Sequence, residues 1–203
     1  LIENLNDAKR FLKPGGVLLP GKVQQLIAPV CDAGYFNDIS VWDQVGYGLH
    51  YTLAKNMSLN NLYVRRFNSE QLLMDGDNIQ SWGKVDFNHS EDTESIREFE
   101  CRWQFHSPQT LYGFATWWTA ELVPGISLTT SPTAARTHWD QLYLPSLQPI
   151  EVQTGDEIAL KLYSDTRYEV GSHIKWETQV INKQGKLLLN THQDVMNGSI
   201  PEV

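Results

Sequence analysis

The sequence predicts a mainly β protein, an antiparallel barrel or sandwich entered through one helix, and three observations lead there. In Glu98-Phe99-Glu100-Cys101-Arg102-Trp103-Gln104-Phe105 every second residue is apolar and the others are charged or polar. That period of two is a strand with one buried and one wet face. The same alternation recurs at Ile158, Leu160 and Leu162 against Ala159, Lys161 and Tyr163, and at Ile174, Trp176, Thr178 and Val180 against Lys175, Glu177 and Gln179. Turn signals separate the runs: Asp75-Gly76-Asp77-Asn78, Pro124-Gly125, Thr154-Gly155-Asp156 and Lys183-Gln184-Gly185-Lys186. Many strands at short intervals, joined by such turns, build antiparallel barrels or sandwiches.

The opening segment places Leu1, Leu5, Ala8 and Leu12 at helical spacing, and Lys13-Pro14-Gly15-Gly16 stops the helix. Val17-Leu18-Leu19-Pro20 and then Val23 to Val30 have strand composition, with proline at the edges. A helix stopped this way and feeding an apolar strand is how an α/β unit closes, so the chain is expected to begin in mid-fold. From Gly34 to about Asn60 the apolar residues Tyr35, Phe36, Ile39, Val41, Trp42, Val45, Tyr47, Leu49, Tyr51 and Leu53 fit no single period. This stretch reads equally as short helical turns in a projecting excursion or as a core helix. Thr110 to Leu122, with Leu111, Phe114, Ala115, Trp117 and Trp118, is apolar on both sides, as a strand buried between layers would be.

At 203 residues, with 41% apolar and 20% charged side chains, the chain suffices for one large β domain with a substantial core, which excludes a disordered segment. No apolar run approaches the roughly 20 residues that span a bilayer, and the start has no signal-peptide pattern. The expectation is an intracellular, cytoplasmic protein without a membrane partner. A formal charge of −8, with Arg65-Arg66 as the densest basic group, argues against nucleic acid and favours a basic partner. Cys31 and Cys101 sit in separate apolar segments, as two buried thiols rather than a disulfide would. His50, His89, His106, His138, His173 and His192 are scattered without a helical pair, so no metal site is expected. Phosphate-cradling glycine loops, Gly-x-Ser-x-Gly elbows and paired-cysteine spacings are missing.

One segment carries a more specific signal. Pro124-Gly125-Ile126-Ser127-Leu128-Thr129-Thr130-Ser131-Pro132 is followed, after a short polar stretch, by Thr137-His138-Trp139-Asp140. In this order and spacing the combination resembles the signature of the β-barrel domain of protein arginine methyltransferases. Phe11-Leu12-Lys13-Pro14-Gly15-Gly16 with Val17-Leu18-Leu19-Pro20 resembles that family's transition from nucleotide-type fold to barrel. The excursion after Ala33 occupies the place of its dimerisation arm, and Leu147 to Leu162 resembles the barrel segment after the Thr-His-Trp loop. The resemblance implies an antiparallel barrel of the arginine-methyltransferase C-terminal type. Residues 1–16 would be the last helix of a Rossmann-like methyltransferase domain, and 17–203 a substrate and dimerisation barrel with an arm insertion at about 34–60.

Members of the family bind S-adenosylmethionine through a glycine-rich loop in an N-terminal domain and hold the substrate guanidinium between two glutamates of a hairpin. The resemblance places both upstream of Leu1, so this chain alone is expected to bind no cofactor and to be inactive. Glu3 reads as a solvated helix residue. Thr137, His138 and Trp139 would close the substrate pocket. His138 would take a supporting catalytic role by pairing with an acidic residue of the cofactor domain, and Trp139 would pack its indole on the arginine. Tyr35, Phe36, Trp42 and Tyr47 would form the arm surface of a homodimer. The implied substrate is an arginine-containing basic protein or peptide, or a small guanidino compound. Two other classes compete: a stand-alone carbohydrate-binding β module, suggested by seven tryptophans, and a catalytically silent partner dimerising through 34–60. Against the first, Trp103, Trp117, Trp118 and Trp176 fall within strands, as core residues would.

Overall fold

The computed structural model describes residues 2–88 and 94–198, and within them two antiparallel sheets face each other. The first contains β1 (Lys22–Pro29), β2 (Tyr63–Arg65), β3 (Gln80–Asp86), β5 (Gln109–Val123), β6 (Ile126–Thr129) and β7 (Gln141–Val152). Its order is β2-β7-β5-β1-β3, with β6 added on β5 beyond the end of β7. The second sheet contains β4 (Ile96–Gln104), β8 (Glu157–Asp165), β9 (His173–Ile181) and β10 (Leu187–Asp194), in the order β10-β9-β8-β4. Three short helices accompany them: α1 (Ile2–Ala8), α2 (Gly34–Ile39) and α3 (Thr52–Leu59).

The double-faced apolar run at 110–122 becomes β5, the spine of the first sheet, because successive side chains point to opposite faces and both faces are covered. On the face toward the second sheet, Phe114 stacks on Trp103 with ring centroids 5.3 Å apart, in a core that also holds Ile27, Leu160, Leu162 and Trp176. On the other face Ala115 and Trp117 join Tyr143 beneath Phe36, Ile39 and Leu59 of the helical excursion. Each large apolar side chain so buried contributes about 1.5–3 kcal/mol.

Side chains rather than strand ladders stitch the two sheets together among the described residues. At one seam the Gln80 amide accepts from the Arg102 backbone N–H at 3.0 Å and donates to the Arg102 carbonyl, joining β3 to β4. At the other, the indole N–H of Trp176 and the amide of Gln193 both donate to the Pro145 carbonyl, at 3.2 and 2.9 Å.

Several boundaries differ from the sequence reading. Residues 17–20 form no strand: Leu19-Pro20 is a cis peptide, and the Asn88 side chain stands in for a strand neighbour by accepting from Leu18 N at 2.7 Å. The helix is shorter than its spacing suggests, passing into a 3-10 turn over Lys9–Phe11, and Leu1 lies outside the described residues. Strands β3, β6 and β10 were not legible as alternation.

The excursion is both of the things its sequence allowed. Its base is core, since Phe36, Ile39 and Leu59 are buried, whereas its tip is open: Val41, Val45, Leu49 and Leu53 are exposed and Tyr47 is 93% exposed. Gly46, Tyr47 and Gly48 all have positive φ, which bends the tip sharply.

Candidate functional site

The loop between β6 and β7 carries Thr137, His138 and Trp139, and backbone bonds fix where it starts. Thr130 N donates to the Trp118 carbonyl at 3.0 Å, and Trp118 N donates to Thr130 Oγ1 at 3.2 Å. Trp118 therefore sits under the loop, and Trp139 meets it edge-on with ring centroids 5.7 Å apart while remaining 52% exposed. The His138 ring lies 6.2 Å from Trp139 and is exposed; Thr137 Oγ1 donates to the Trp139 carbonyl at 3.0 Å, tightening the turn. The three candidate residues thus share one rim, where the Trp139 indole is half-exposed.

Beneath this rim lies a cavity of about 240 Å³, lined among others by Arg66, Asn68, Ser131, Arg136 and Asp140. Arg66 donates its Nε–H to Asp140 Oδ1 at 2.5 Å and its Nη2–H to the same oxygen. Gln141, 6% exposed, accepts from Phe67 N at 2.9 Å and donates to the Thr130 carbonyl at 2.7 Å. The sequence offered Thr137, His138 and Trp139 as candidates and gave no role to Arg66, Asp140, Gln141 or Trp118. Arg66 and Asp140 are 74 positions apart, and only the β2–β7 pairing juxtaposes them.

The four arm residues separate. Phe36 is buried against Tyr112, with ring centroids 5.6 Å apart, and Tyr35 packs edge-on to Phe67 at 5.1 Å. Trp42 is half-buried beside Tyr51, and Tyr47 projects at the tip. The free apolar surface of the arm is therefore its tip rather than its aromatic base.

A larger cavity, about 790 Å³, opens where the turn after α1 meets the β5–β6 hairpin. Gly15, Gly16 and Gly21 follow the C-terminal end of a helix, where carbonyls rather than N–H groups are exposed. The carboxylates Asp86 and Glu121 are engaged by Lys22 at 3.6 and 3.8 Å.

Other expectations shift in detail. Glu3 is half-buried rather than solvated, and its carboxylate accepts from Tyr168 N at 2.7 Å, tying α1 to the β8–β9 loop. Cys101 is buried, and burial pushes its thiol up to about 11; Cys31 is half-buried and its thiol is raised for the same reason. Trp82, Trp103, Trp117 and Trp176 are all buried, so they cannot form a sugar-stacking platform. Among the described residues no group of three or more His, Cys, Asp or Glu side chains could hold a metal ion, and His89 lies outside them. No described helix is long and apolar enough to cross a membrane.

Two facing antiparallel sheets, with Thr137, His138 and Trp139 on a loop at one rim and a helical excursion packed over one face, define a mainly β domain. Residues 23–178 match the arginine methyltransferase oligomerization subdomain, and the chain belongs to that family. Protein arginine N-methyltransferase 6 of Xenopus laevis is 28% identical over 159 residues, covering 73% of this chain and 46% of that protein. Histone-arginine methyltransferase CARMER of Anopheles gambiae is 23% identical over 206 residues, covering 92% of this chain and 32% of its own length. The chain thus spans half or less of the length of these relatives. Among solved structures, the Trypanosoma brucei PRMT1 enzyme-prozyme heterotetrameric complex with AdoHcy superposes with a TM-score of 0.73 at 15% identity, over 96% of this chain and 62% of that one. Arabidopsis thaliana protein arginine methyltransferase 10 gives 0.69 at 17% identity, over 96% and 65%. At such identity these two likenesses speak to the fold.

Proposed function

We propose that this chain is the substrate-side barrel of an S-adenosylmethionine-dependent arginine N-methyltransferase, closing the arginine pocket with Thr137, His138 and Trp139 and assembling through the arm at 34–60. The observation that carries the reading is the half-exposed Trp139 indole braced on Trp118 at the barrel rim. A guanidinium is flat, weakly hydrated and presents its donors in its own plane. Laid against the indole, it is attracted by the ring face while its in-plane N–H groups stay free for carboxylates.

Those carboxylates and the methyl-donor site belong, on this proposal, to a Rossmann-like domain of which residues 1–16 are the last helix. The chain alone then binds no donor and is inactive. The donor, when bound, supplies an electrophilic methyl group. This chain's part is positioning: Trp139 fixes the plane of the arginine, Thr137 shapes the turn that presents it, and the exposed His138 pairs with an acidic group of the cofactor domain. Holding reactants in line can contribute about 7–11 kcal/mol to lowering a barrier, so a wall that sets one angle matters to rate. The substrate is an arginine in a basic protein or peptide, or a small guanidino compound, which the acidic balance of the chain suits. Assembly as a homodimer would cover the open arm tip, whose exposed Val41, Val45, Leu49 and Leu53 form an apolar surface.

The test is kinetic. In the intact protein, Trp139→Ala and His138→Ala should each lower kcat by roughly tenfold or more while leaving the melting temperature of the barrel within about 3 °C of the parent. Parental turnover in both variants would return the loop to a structural role.

A further inference from the structure

We propose that Arg66, acting through Asp140, is a positioning residue that holds Trp139 against Trp118 and ties this loop to the base of the arm through Tyr35; the proposal rests on the reading of the loop as the arginine-pocket wall. The geometry starts in the sheet. β2 pairs with β7 as Tyr63↔Tyr143, Val64↔Leu142 and Arg65↔Gln141, so one further step brings Arg66 opposite Asp140 at the foot of the loop. The guanidinium places two N–H groups on a single carboxylate oxygen. The side chains are 31% and 29% exposed, so solvent screens this pair less than an open surface pair. Next to it, Gln141 ties Phe67 N to the Thr130 carbonyl. Both stems of the loop, Thr130 and Asp140–Gln141, are therefore anchored to the same two residues, Arg66 and Phe67.

Arg66 is in turn fixed from the other side. Tyr35 of α2 donates its hydroxyl to the Arg66 carbonyl at 2.6 Å and packs edge-on against Phe67, and the Arg65 guanidinium lies over the Tyr35 ring at 5.5 Å. A continuous run of contacts thus leads from the arm base, through Arg66 and Asp140, to the residue beside Asp140, which is Trp139. Arm and rim loop are far apart in sequence yet share one anchoring residue. Displacement of α2 when the arm engages a partner would be felt at the Trp139 wall, and a loosened wall would lower turnover without altering how the methyl donor is held.

The experiment has a structural and a kinetic arm. Hydrogen exchange is followed by mass spectrometry in Arg66→Ala, Asp140→Asn, Tyr35→Phe and the exchanged pair Arg66→Asp with Asp140→Arg. The amides of Phe67 and Thr130, which are bonded across the stems of the loop, should exchange roughly tenfold faster in the two single variants at 66 and 140, the factor about 1.4 kcal/mol carries. Tyr35→Phe should show a smaller increase in the same amides, and the exchanged pair should recover protection. Amides of β5 and β8 should keep parental rates throughout. In the intact protein, Arg66→Ala should lower kcat with the KM for S-adenosylmethionine unchanged, and the exchanged pair should restore part of it. Unchanged exchange at Phe67 and Thr130 in both single variants, or equal loosening of β5, overturns the positioning role. If instead the loop loosens while Arg66→Ala, His138→Ala and Trp139→Ala all keep parental turnover, the pocket reading fails and the clamp stands as a structural device. Should Arg66→Ala not fold, Asp140→Asn and Arg66→Lys, which keeps the charge and loses the fork, decide by the same readouts.

Discussion

Replacing Gly113 by alanine should open the barrel at its spine. Gly113 lies where the β5–β7 register shifts between Leu111 and Gly113, with φ at +131°. A Cβ there would stand 2.2 Å from the Leu144 carbonyl oxygen and 2.8 Å from Pro145 Cα, both backbone atoms of the adjacent strand. Retreat is blocked on the other side, because the Gly113 carbonyl accepts from Val30 N at 2.9 Å and Tyr112 N donates to the Val30 carbonyl at 2.8 Å. Holding an L residue at such a φ costs about 1–3 kcal/mol. Forcing a methyl into a closed strand pair costs about 1–3 kcal/mol more. The sum, about 4 kcal/mol, corresponds to a fall in melting temperature of roughly 8–16 °C for a chain of this size. Gly125 supplies the control: its φ is +82°, but nothing lies within 4 Å of an added Cβ. Gly125→Ala should cost only the backbone strain, about 1–2 kcal/mol. Thermal and urea unfolding, followed by circular dichroism, measure both. A Gly113→Ala variant melting within about 3 °C of the parent, or a Gly125→Ala variant equally damaged, would refute the close β5–β7 approach.

Asp165, held at about 2 by the Arg167 guanidinium that donates to both its oxygens, stabilises the fold in its ionised form. That stability is complete above the unfolded value of about 4 and is lost as pH falls toward 2; Asp165→Asn should flatten this part of the melting profile, and an unchanged profile would contradict it. Cys101 is 1% exposed and burial pushes its thiol up, so native protein should give slow labelling of half-buried Cys31 and none of Cys101. Rapid reaction of two thiols would show that the inter-sheet core is open. Leu49 and Leu53 are 60% and 68% exposed on the arm, and changing both to glutamate should weaken self-association by roughly tenfold per leucine in sedimentation velocity. Association that survives both changes would place the contact elsewhere.

Much of the architecture was written in alternation. Strands β4 and β9 each have one wetter face, β8 alternates in sequence although Ala159 and Asp165 are buried on its second face, and β5 has no exposed position, so periodicity identified them and placed β5 centrally. Strand β3 escaped because a register shift opposite Gln25 and Leu26 puts its buried Trp82 and Val85 three apart rather than two. Strand β10 escaped for a different reason: Leu187 and Leu188 are exposed and Gln193 is buried, the reverse of the usual sorting, because Gln193 spends its amide on the carbonyls of Leu59 and Pro145. At the site, resemblance supplied Thr137, His138 and Trp139, but their supports are set by strand register. Trp118 meets the loop only through the β5–β6 pairing, and Arg66 reaches Asp140 only through β2 and β7. In the arm, the aromatic residues suggested a single exposed surface. Helix α2 instead turns Phe36 inward, toward the face of β5 that also buries Trp117.

The decisive measurement is transfer of a labelled methyl group from S-adenosylmethionine by the intact protein to a panel of arginine-rich peptides and small guanidino compounds, read by mass spectrometry. The label should appear on a guanidino nitrogen, disappear when the target arginine is replaced by lysine, and fall with Trp139→Ala. A methyl group delivered to another nucleophile, or guanidino methylation that Trp139→Ala leaves at the parental rate, would contradict the assignment of this barrel as the wall of an arginine pocket.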